Sequence, residues 1–175
     1  MNDSMKVLKE GGIAVVRTDT VYGLLGRADL QKTVERIFTV KGRDRSKPLI
    51  VLLADASQAF DGQELVETYS AAAKTPTTVV VFSPHAPAWL QHHDGTVAYR
   101  VPQNRELQAL LRYTGPLVAP SANLQGKSPA RTIAEAKTYF GDQVDVYWDA
   151  GTVPASVAPS SLVQVSAAGK IHKLR

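Results

Sequence analysis

The chain has 175 residues, of which 44% are hydrophobic, and a formal net charge of +4. These values fit one globular domain spanning 1–175 with a sizeable core. The absence of cysteine excludes disulfides, thiolate metal sites and a cysteine nucleophile. Neither a signal peptide nor a membrane-length apolar run is present, so we expect a cytoplasmic protein without membrane contact.

Short β-branched apolar runs alternate with helical patterns along the chain. In the first helical pattern, Val34, Ile37 and Phe38 share one face, so this helix should pack by that stripe and end at Lys41. Two short strands after the last helix argue against a repeating β-α barrel. We therefore expect an α/β fold, with an open, twisted sheet of mixed direction and flanking helices. The predicted elements are strand 13–16, helix 30–40, strand 49–53, helix 64–73, strands 78–82 and 96–101, helix 106–111, strand 117–119, helix 133–140, and strands 144–148, 162–165 and 170–174.

Positive charge concentrates directly after the first predicted helix. Hydroxyl-bearing Thr18, Thr20 and Tyr22 precede this cluster. Cations that make charge-assisted hydrogen bonds, together with hydroxyls that fix orientation, suit a phosphate-bearing small molecule. The alternative is a solvated helix end, where cations favour the negative pole of the helix dipole. The cluster consists of Lys41, Arg43, Arg45 and Lys47 against the single acid Asp44.

Two other patterns are weaker indications of a site. The segment SANLQGKS (121–128) imitates a Walker A loop, but Ser121 stands where that loop needs glycine and Pro129 follows instead of a helix. Ser121 and Asn123 nevertheless follow a predicted strand, where α/β sheets tend to hold ligands, although turn chemistry would also explain them. His92 and His93 point to opposite faces of an extended segment, so we predict no protein metal site.

Five segments in sequence order, spread over essentially the whole chain, are TDTVYGL (18–24), KGRDRSKPL (41–49), TVAYRVP (96–102), APSANLQGKS (119–128) and PSSLV (159–163). Together they resemble the YrdC-like threonylcarbamoyl-AMP synthase family. The resemblance implies a nucleotidyltransferase that condenses L-threonine, bicarbonate and ATP into threonylcarbamoyl-AMP and pyrophosphate, for threonylcarbamoyladenosine in tRNA. It also implies a large, positively charged cavity, Mg2+ carried by ATP, weak contact with tRNA and a downstream threonylcarbamoyl transferase complex.

The resemblance also implies roles for individual residues. Lys41 and Arg43 would be catalytic, holding the carbamate and phosphates. Such a reaction joins anions, so clustered cations can promote it by positioning and electrostatic stabilisation without a covalent nucleophile. Threonine and bicarbonate would be bound by Thr20, Tyr22, Arg100, Ala119 and Ser160. ATP would be bound by Arg43, Lys47, Thr96, Ser121, Asn123, Ser128 and Arg175.

Some positions depart from the family pattern: Arg17 and Asp44 stand where proline is common, and Gln125 stands where serine is frequent. These departures affect loop geometry rather than the cations. Two alternatives remain open, a paralogue that does not make the adenylate and a basic RNA-binding maturation factor. On the synthase interpretation, replacing Lys41 or Arg43 should lower turnover with little change in thermal stability.

Overall fold

A computed structural model of the protein describes residues 2–47, 49–166 and 168–174. The helices are α1 (Asn2–Lys9), α2 (Gln31–Lys41), α3 (Gln63–Ala71), α4 (Arg105–Thr114) and α5 (Ile133–Phe140). The strands are β1 (Ala14–Arg17), β2 (Tyr22–Arg27), β3 (Ile50–Leu52), β4 (Thr77–Phe82), β5 (Thr96–Arg100), β6 (Leu117–Val118), β7 (Val146–Tyr147), β8 (Ser161–Val165) and β9 (Ile171–Lys173).

The strands form one sheet in the order β7-β1-β2-β6-β3-β5-β4-β8-β9. Three neighbouring pairs are parallel, namely β7 with β1, β3 with β5, and β4 with β8. The other pairs are antiparallel. This mixed, open sheet with flanking helices confirms the fold class predicted from the sequence.

All the predicted helices and strands are present, with ends that differ by up to three residues. Two elements were missed, the first helix α1 and the central strand β2. The β2 sequence, YGLLGR, carries two glycines, which weaken a strand signal. Gly26 is needed there because a Cβ atom would lie 2.5 Å from Thr33 Cγ2 and 2.9 Å from Ile37 Cδ1 on α2.

The two faces of the sheet are covered differently. The first face carries the larger core cluster, in which Val51, Val79 and Tyr99 are fully buried, and α2 and α3 pack on this side. On the second face, α1 and α4 cover the part over β1, β2, β6 and β3, through residues such as Leu8 and Leu110. The remaining part, over β5, β4 and β8, borders two cavities.

No helix in the described ranges is both long enough and apolar enough to cross a membrane.

Candidate active site

Two cavities adjoin on the second face of the sheet, and both are lined by Arg43 and Ile50. We call them the inner cavity, of about 350 Å³, and the outer cavity, of about 380 Å³. The walls of the inner cavity include Thr18, Thr20, Arg43, Arg100, Ala119, Ser121, Asn123, Lys127 and Ser160.

A hydroxyl-bonded turn between β1 and β2 forms one wall of the inner cavity. The hydroxyl of Thr18 donates to the carbonyl of Val21 at 2.7 Å and accepts from the backbone N–H of Thr20 at 3.2 Å. The hydroxyls of Thr18 and Thr20 lie 3.0 Å apart. These bonds fix the Thr20 side chain against the cavity, because threonine hydroxyls stabilise such turns by bonding nearby backbone groups.

Arg100, at the end of β5, is held by this turn. Its Nη2 atom lies 3.2 Å from Asp19 Oδ1, and the two side chains are only 5% and 9% exposed. Its Nη1 atom donates to the Thr20 hydroxyl at 3.4 Å. A buried guanidinium needs a compensating partner, and Asp19 supplies the opposite charge. Sequence reasoning missed Asp19, although it is the one acid between the two threonines of the TDT motif.

Arg43 projects from the turn that ends α2. Gly42 adopts the left-handed conformation with φ 59°, and the N–H groups of Gly42 and Arg43 donate to the carbonyls of Thr39 and Phe38. This pair of bonds is a Schellman motif, which satisfies the last carbonyls of the helix. The Nε atom of Arg43 donates to the Lys47 carbonyl at 2.7 Å. Burial lowers the pKa of the Arg43 guanidinium, and Asp44 opposes that effect.

Lys41 lies beneath this turn and is only 1% exposed. Its Nζ atom donates to three oxygens, the carbonyls of Ser121 and Asn123 at 2.6 and 2.7 Å and Asn123 Oδ1 at 3.0 Å. Three acceptors match the three donors of an ammonium group. Burial lowers the pKa of Lys41 to about 7, and the charge of Arg43 adds to the shift. Contact between Lys41 and a phosphate would require the loss of one of these hydrogen bonds.

The loop that receives Lys41 is also bonded within itself. The Ser121 hydroxyl donates to Asn123 Oδ1 at 2.6 Å. The amide nitrogen of Asn123 donates to the carbonyls of Leu124 and Lys127, each at 2.8 Å. Asn123 therefore organises the loop after β6, and both Ser121 and Asn123 line the inner cavity.

The outer cavity combines an apolar floor with polar residues at its edge. Ile50, Val80 and Ala98 lie side by side on neighbouring strands and form the floor. The Thr96 hydroxyl donates to Asp94 Oδ1 at 2.7 Å. Hydrogen bonds from Thr96 lower the pKa of the Asp94 carboxyl group. Lys47 lies on the cationic side of this cavity, next to Arg43.

The structure brings most of the predicted site residues to these two cavities. Lys41, Tyr22 and Ser128 are not among the described residues that line either cavity. Tyr22 has a fully buried ring, and its hydroxyl donates to the Gly151 carbonyl at 2.7 Å and accepts from Ala150 N. The Ser128 carbonyl accepts from the Tyr139 hydroxyl. The inner cavity contains Thr20, Arg43, Arg100, Ala119, Ser121, Asn123 and Ser160, and the outer contains Arg43, Lys47 and Thr96.

One predicted ATP-binding residue falls outside the described residues, and one lysine of the inner cavity was not predicted. Arg175 lies outside the described residues. Lys127, which sequence reasoning did not assign to the site, lines the inner cavity. The sequence feature that could have indicated Lys127 is the GKS triplet (126–128), which does not meet the requirements of a Walker A loop. In the described part of the chain, no group of three or more His, Cys, Asp or Glu residues could hold a metal ion.

The family model described as Telomere recombination, for Sua5, YciO and YrdC proteins, matches residues 6–175. The chain is 32% identical over 173 residues to the threonylcarbamoyl-AMP synthase of Yersinia enterocolitica, covering 93% of this chain and 89% of that protein.

Two solved structures have the same fold. The crystal structure of P. abyssi Sua5 complexed with L-threonine superposes with a TM-score of 0.81 at 28% identity, over 93% of this chain and 50% of that one. The chain thus spans about half the length of P. abyssi Sua5. E. coli YciO, at 21% identity, superposes with a TM-score of 0.83 over 99% of this chain and 87% of that one. The match to the family model over nearly the whole chain shows that this protein belongs to the Sua5/YciO/YrdC family.

Proposed function

We propose that this protein is a threonylcarbamoyl-AMP synthase that condenses L-threonine, bicarbonate and ATP. The observation that carries the proposal is the inner cavity, where a buried arginine with neighbouring hydroxyls faces the same space as Arg43 and Ser121. One end of the cavity suits an amino acid and the other suits phosphates. Relatives of similar length bear the name of this enzyme, which supports the same assignment.

The threonine end is built around Arg100. A guanidinium binds a carboxylate with two parallel hydrogen bonds, so Arg100 is suited to the carboxylate of threonine. Ser160 is buried and lies opposite Thr78, with the two hydroxyl oxygens 2.9 Å apart. Together with Thr20, it supplies hydroxyls that can enclose the side chain and amino group. P. abyssi Sua5 has been crystallised in complex with L-threonine, which is consistent with this end of the cavity.

The phosphate end is built around Arg43, with Lys47 at the outer cavity. The amine of threonine and bicarbonate give a carbamate and water. A carbamate oxygen then forms a bond to the α-phosphorus of ATP, while the bond to the bridging oxygen breaks and pyrophosphate leaves. Each reactant is an anion, so cations lower the barrier by offsetting repulsion and by holding the groups in line.

Mg2+ fits this site as a partner of the triphosphate. The carboxylate at the outer cavity, Asp94, is engaged by Thr96, and the described residues offer no three-residue metal cluster. Mg2+ commonly keeps several waters and binds through substrate phosphates, so we expect it to enter the site bound to ATP. There it would neutralise part of the negative charge of the phosphates. Asp94 is the described residue that could supply a water-mediated contact.

The cytoplasmic location, weak tRNA contact and a downstream threonylcarbamoyl transferase complex stay predictions. The tRNA contact and the transferase complex follow from the expected product, an activated donor that must reach a transferase acting on tRNA.

Release of pyrophosphate tests the proposed reaction. The purified protein is incubated with Mg-ATP, L-threonine and bicarbonate, and each substrate is omitted in turn. We expect release that depends on all three, and a threonylcarbamoyl-AMP product detectable by mass spectrometry. ATP binding without pyrophosphate release under any of these conditions would contradict the proposal and favour a paralogue that does not make the adenylate.

A further inference from the structure

The GKS triplet, residues 126–128, is not a Walker A loop, yet it delivers a lysine to the candidate active site. Lys127 lines the inner cavity together with Arg43 and Arg100. The backbone around it is fixed, because Lys127 N donates to the Leu124 carbonyl at 3.0 Å and the Lys127 carbonyl accepts from the Asn123 amide at 2.8 Å. Gly126 has φ 82°, which lets the chain turn at this point.

Lys127 and Lys41 differ in how their donors are used. The three donors of Lys41 all bond to oxygens of the protein. The Lys127 side chain is exposed at the cavity wall, and its ammonium has no hydrogen-bond or ion-pair partner among the described residues. A lysine without partners keeps three donors for an incoming anion. Because Arg43 lines the same cavity and Lys47 lines the adjoining one, the anion best matched to this end of the site carries several charges.

We infer that Lys127 is a polyphosphate-binding residue, which contacts the phosphates of ATP from the loop after β6. This inference rests on the proposed function, because it names a further ligand of the same nucleotide. It assigns the direct contact with phosphate to Lys127 and leaves Lys41 as a positioning residue that holds the Ser121–Asn123 segment. The contact is electrostatic, so it should weaken as salt concentration rises.

Calorimetric titration of the intact protein with Mg-ATP tests this inference. The variant Lys127→Met removes the charge and keeps most of the chain length, whereas Lys127→Arg keeps the charge. The matched control is Lys32→Met, the same change at an exposed residue in the first turn of α2. Each variant is also titrated with inorganic pyrophosphate and with L-threonine at low ionic strength.

We expect Lys127→Met to raise the Kd for Mg-ATP and pyrophosphate by about three- to tenfold, the range for a charge-assisted contact that is partly open to solvent. Lys127→Arg should restore most of the affinity, while Lys32→Met and the threonine titrations should match the parent. Parent-like ATP affinity in Lys127→Met would overturn the inference and leave the proposed function intact. Failure of the parent to bind ATP or pyrophosphate would instead refute the proposed function, and this inference with it.

Discussion

Two buried cations lie near the inner cavity, Arg100 in its wall and Lys41 behind the wall residues Ser121 and Asn123, but the protein compensates them in opposite ways. Arg100 is paired with the carboxylate of Asp19, so this pair carries no net charge. Lys41 is surrounded by three neutral oxygens, so its positive charge is hydrogen-bonded but not neutralised. The lowered pKa of Lys41, about 7, follows from this difference, because burial disfavours a charge that has no opposite charge nearby.

The comparison indicates different functions for the two cations. Arg100 reaches the cavity wall while Asp19 and Thr20 hold it, so its guanidinium is positioned for an anionic group. Lys41 joins the end of α2 to a loop that lies 80 residues later in the chain. Its position explains how Arg43 and Ser121, which belong to distant segments, come to face one cavity. Lys41 therefore acts on the substrate through the backbone that it holds.

Lys41→Met should have the largest effect on the stability of the protein. The three hydrogen bonds of the Lys41 side chain would be lost, and each typically contributes about 1 kcal/mol. We expect the free energy of unfolding at pH 6, below the pKa of Lys41, to fall by about 3 kcal/mol, with loss of activity. Urea unfolding followed by circular dichroism measures the change, with Lys32→Met as the control. This expectation replaces the view from sequence that Lys41 could be removed with little change in stability.

Removing the Asp19 carboxylate tests whether it stabilises the buried charge of Arg100. Asp19→Asn leaves the Arg100 charge buried without a counter-charge, and breaking a buried ion pair typically costs about 3 kcal/mol or more. The double variant Asp19→Asn/Arg100→Met removes both charges and should be more stable than Asp19→Asn alone. Arg100→Met and the double variant should both lose threonine binding. A double variant that is less stable than Asp19→Asn would contradict the role of Asp19 as a counter-charge.

The pH dependence of stability should differ between the parent and Lys41→Met. The folded-state pKa of Lys41, about 7, is below its ordinary value of 10.5, so between these values the unfolded chain binds more protons. Stability therefore rises with pH in this window, by up to about 1.4 kcal/mol per pH unit. We expect the difference in unfolding free energy, parent minus variant, to increase from pH 7 towards pH 10. A difference that stays flat or falls would contradict the burial of an uncompensated charge.

The smallest expected effect is at the contact between Asp44 and Gln125. Asp44 N donates to Gln125 Oε1 at 2.7 Å, and Gln125 N donates to the Lys41 carbonyl at 3.0 Å. Gln125→Ala should lower the free energy of unfolding, measured by urea denaturation, by about 0.5–1 kcal/mol, because the lost hydrogen bond is exposed. In an Asp44→Pro background, which lacks the N–H, Gln125→Ala should cost nothing more. In an Asp44→Ala background, which keeps the N–H, the losses in unfolding free energy caused by Asp44→Ala and by Gln125→Ala should add.

This last contact also shows what the sequence could and could not predict. Within residues 2–47, 49–166 and 168–174, apolar periodicity located eight of the nine strands and four of the five α-helices, because each signal is local. Strand β2 was missed, since the need for Gly26 arises only where α2 packs against it. The sequence placed Lys41 in a cationic cluster with Arg43, but its burial depends on a loop distant in the chain. Asp44 and Gln125 were each noted as departures, and only the fold shows that they bond to each other.

The central claim, that Lys41 is held by the protein whereas Lys127 is available to phosphate, can be tested by nuclear magnetic resonance of lysine side chains. Protein with 15N-labelled lysine is examined at a pH below the pKa of Lys41, with and without Mg-ATP. Hydrogen bonding to three oxygens should give the Lys41 ammonium a slowly exchanging proton signal that ATP leaves unchanged, while the Lys127 signal appears or shifts when ATP binds. A Lys41 signal that is absent without ATP and responds to its addition would contradict the account.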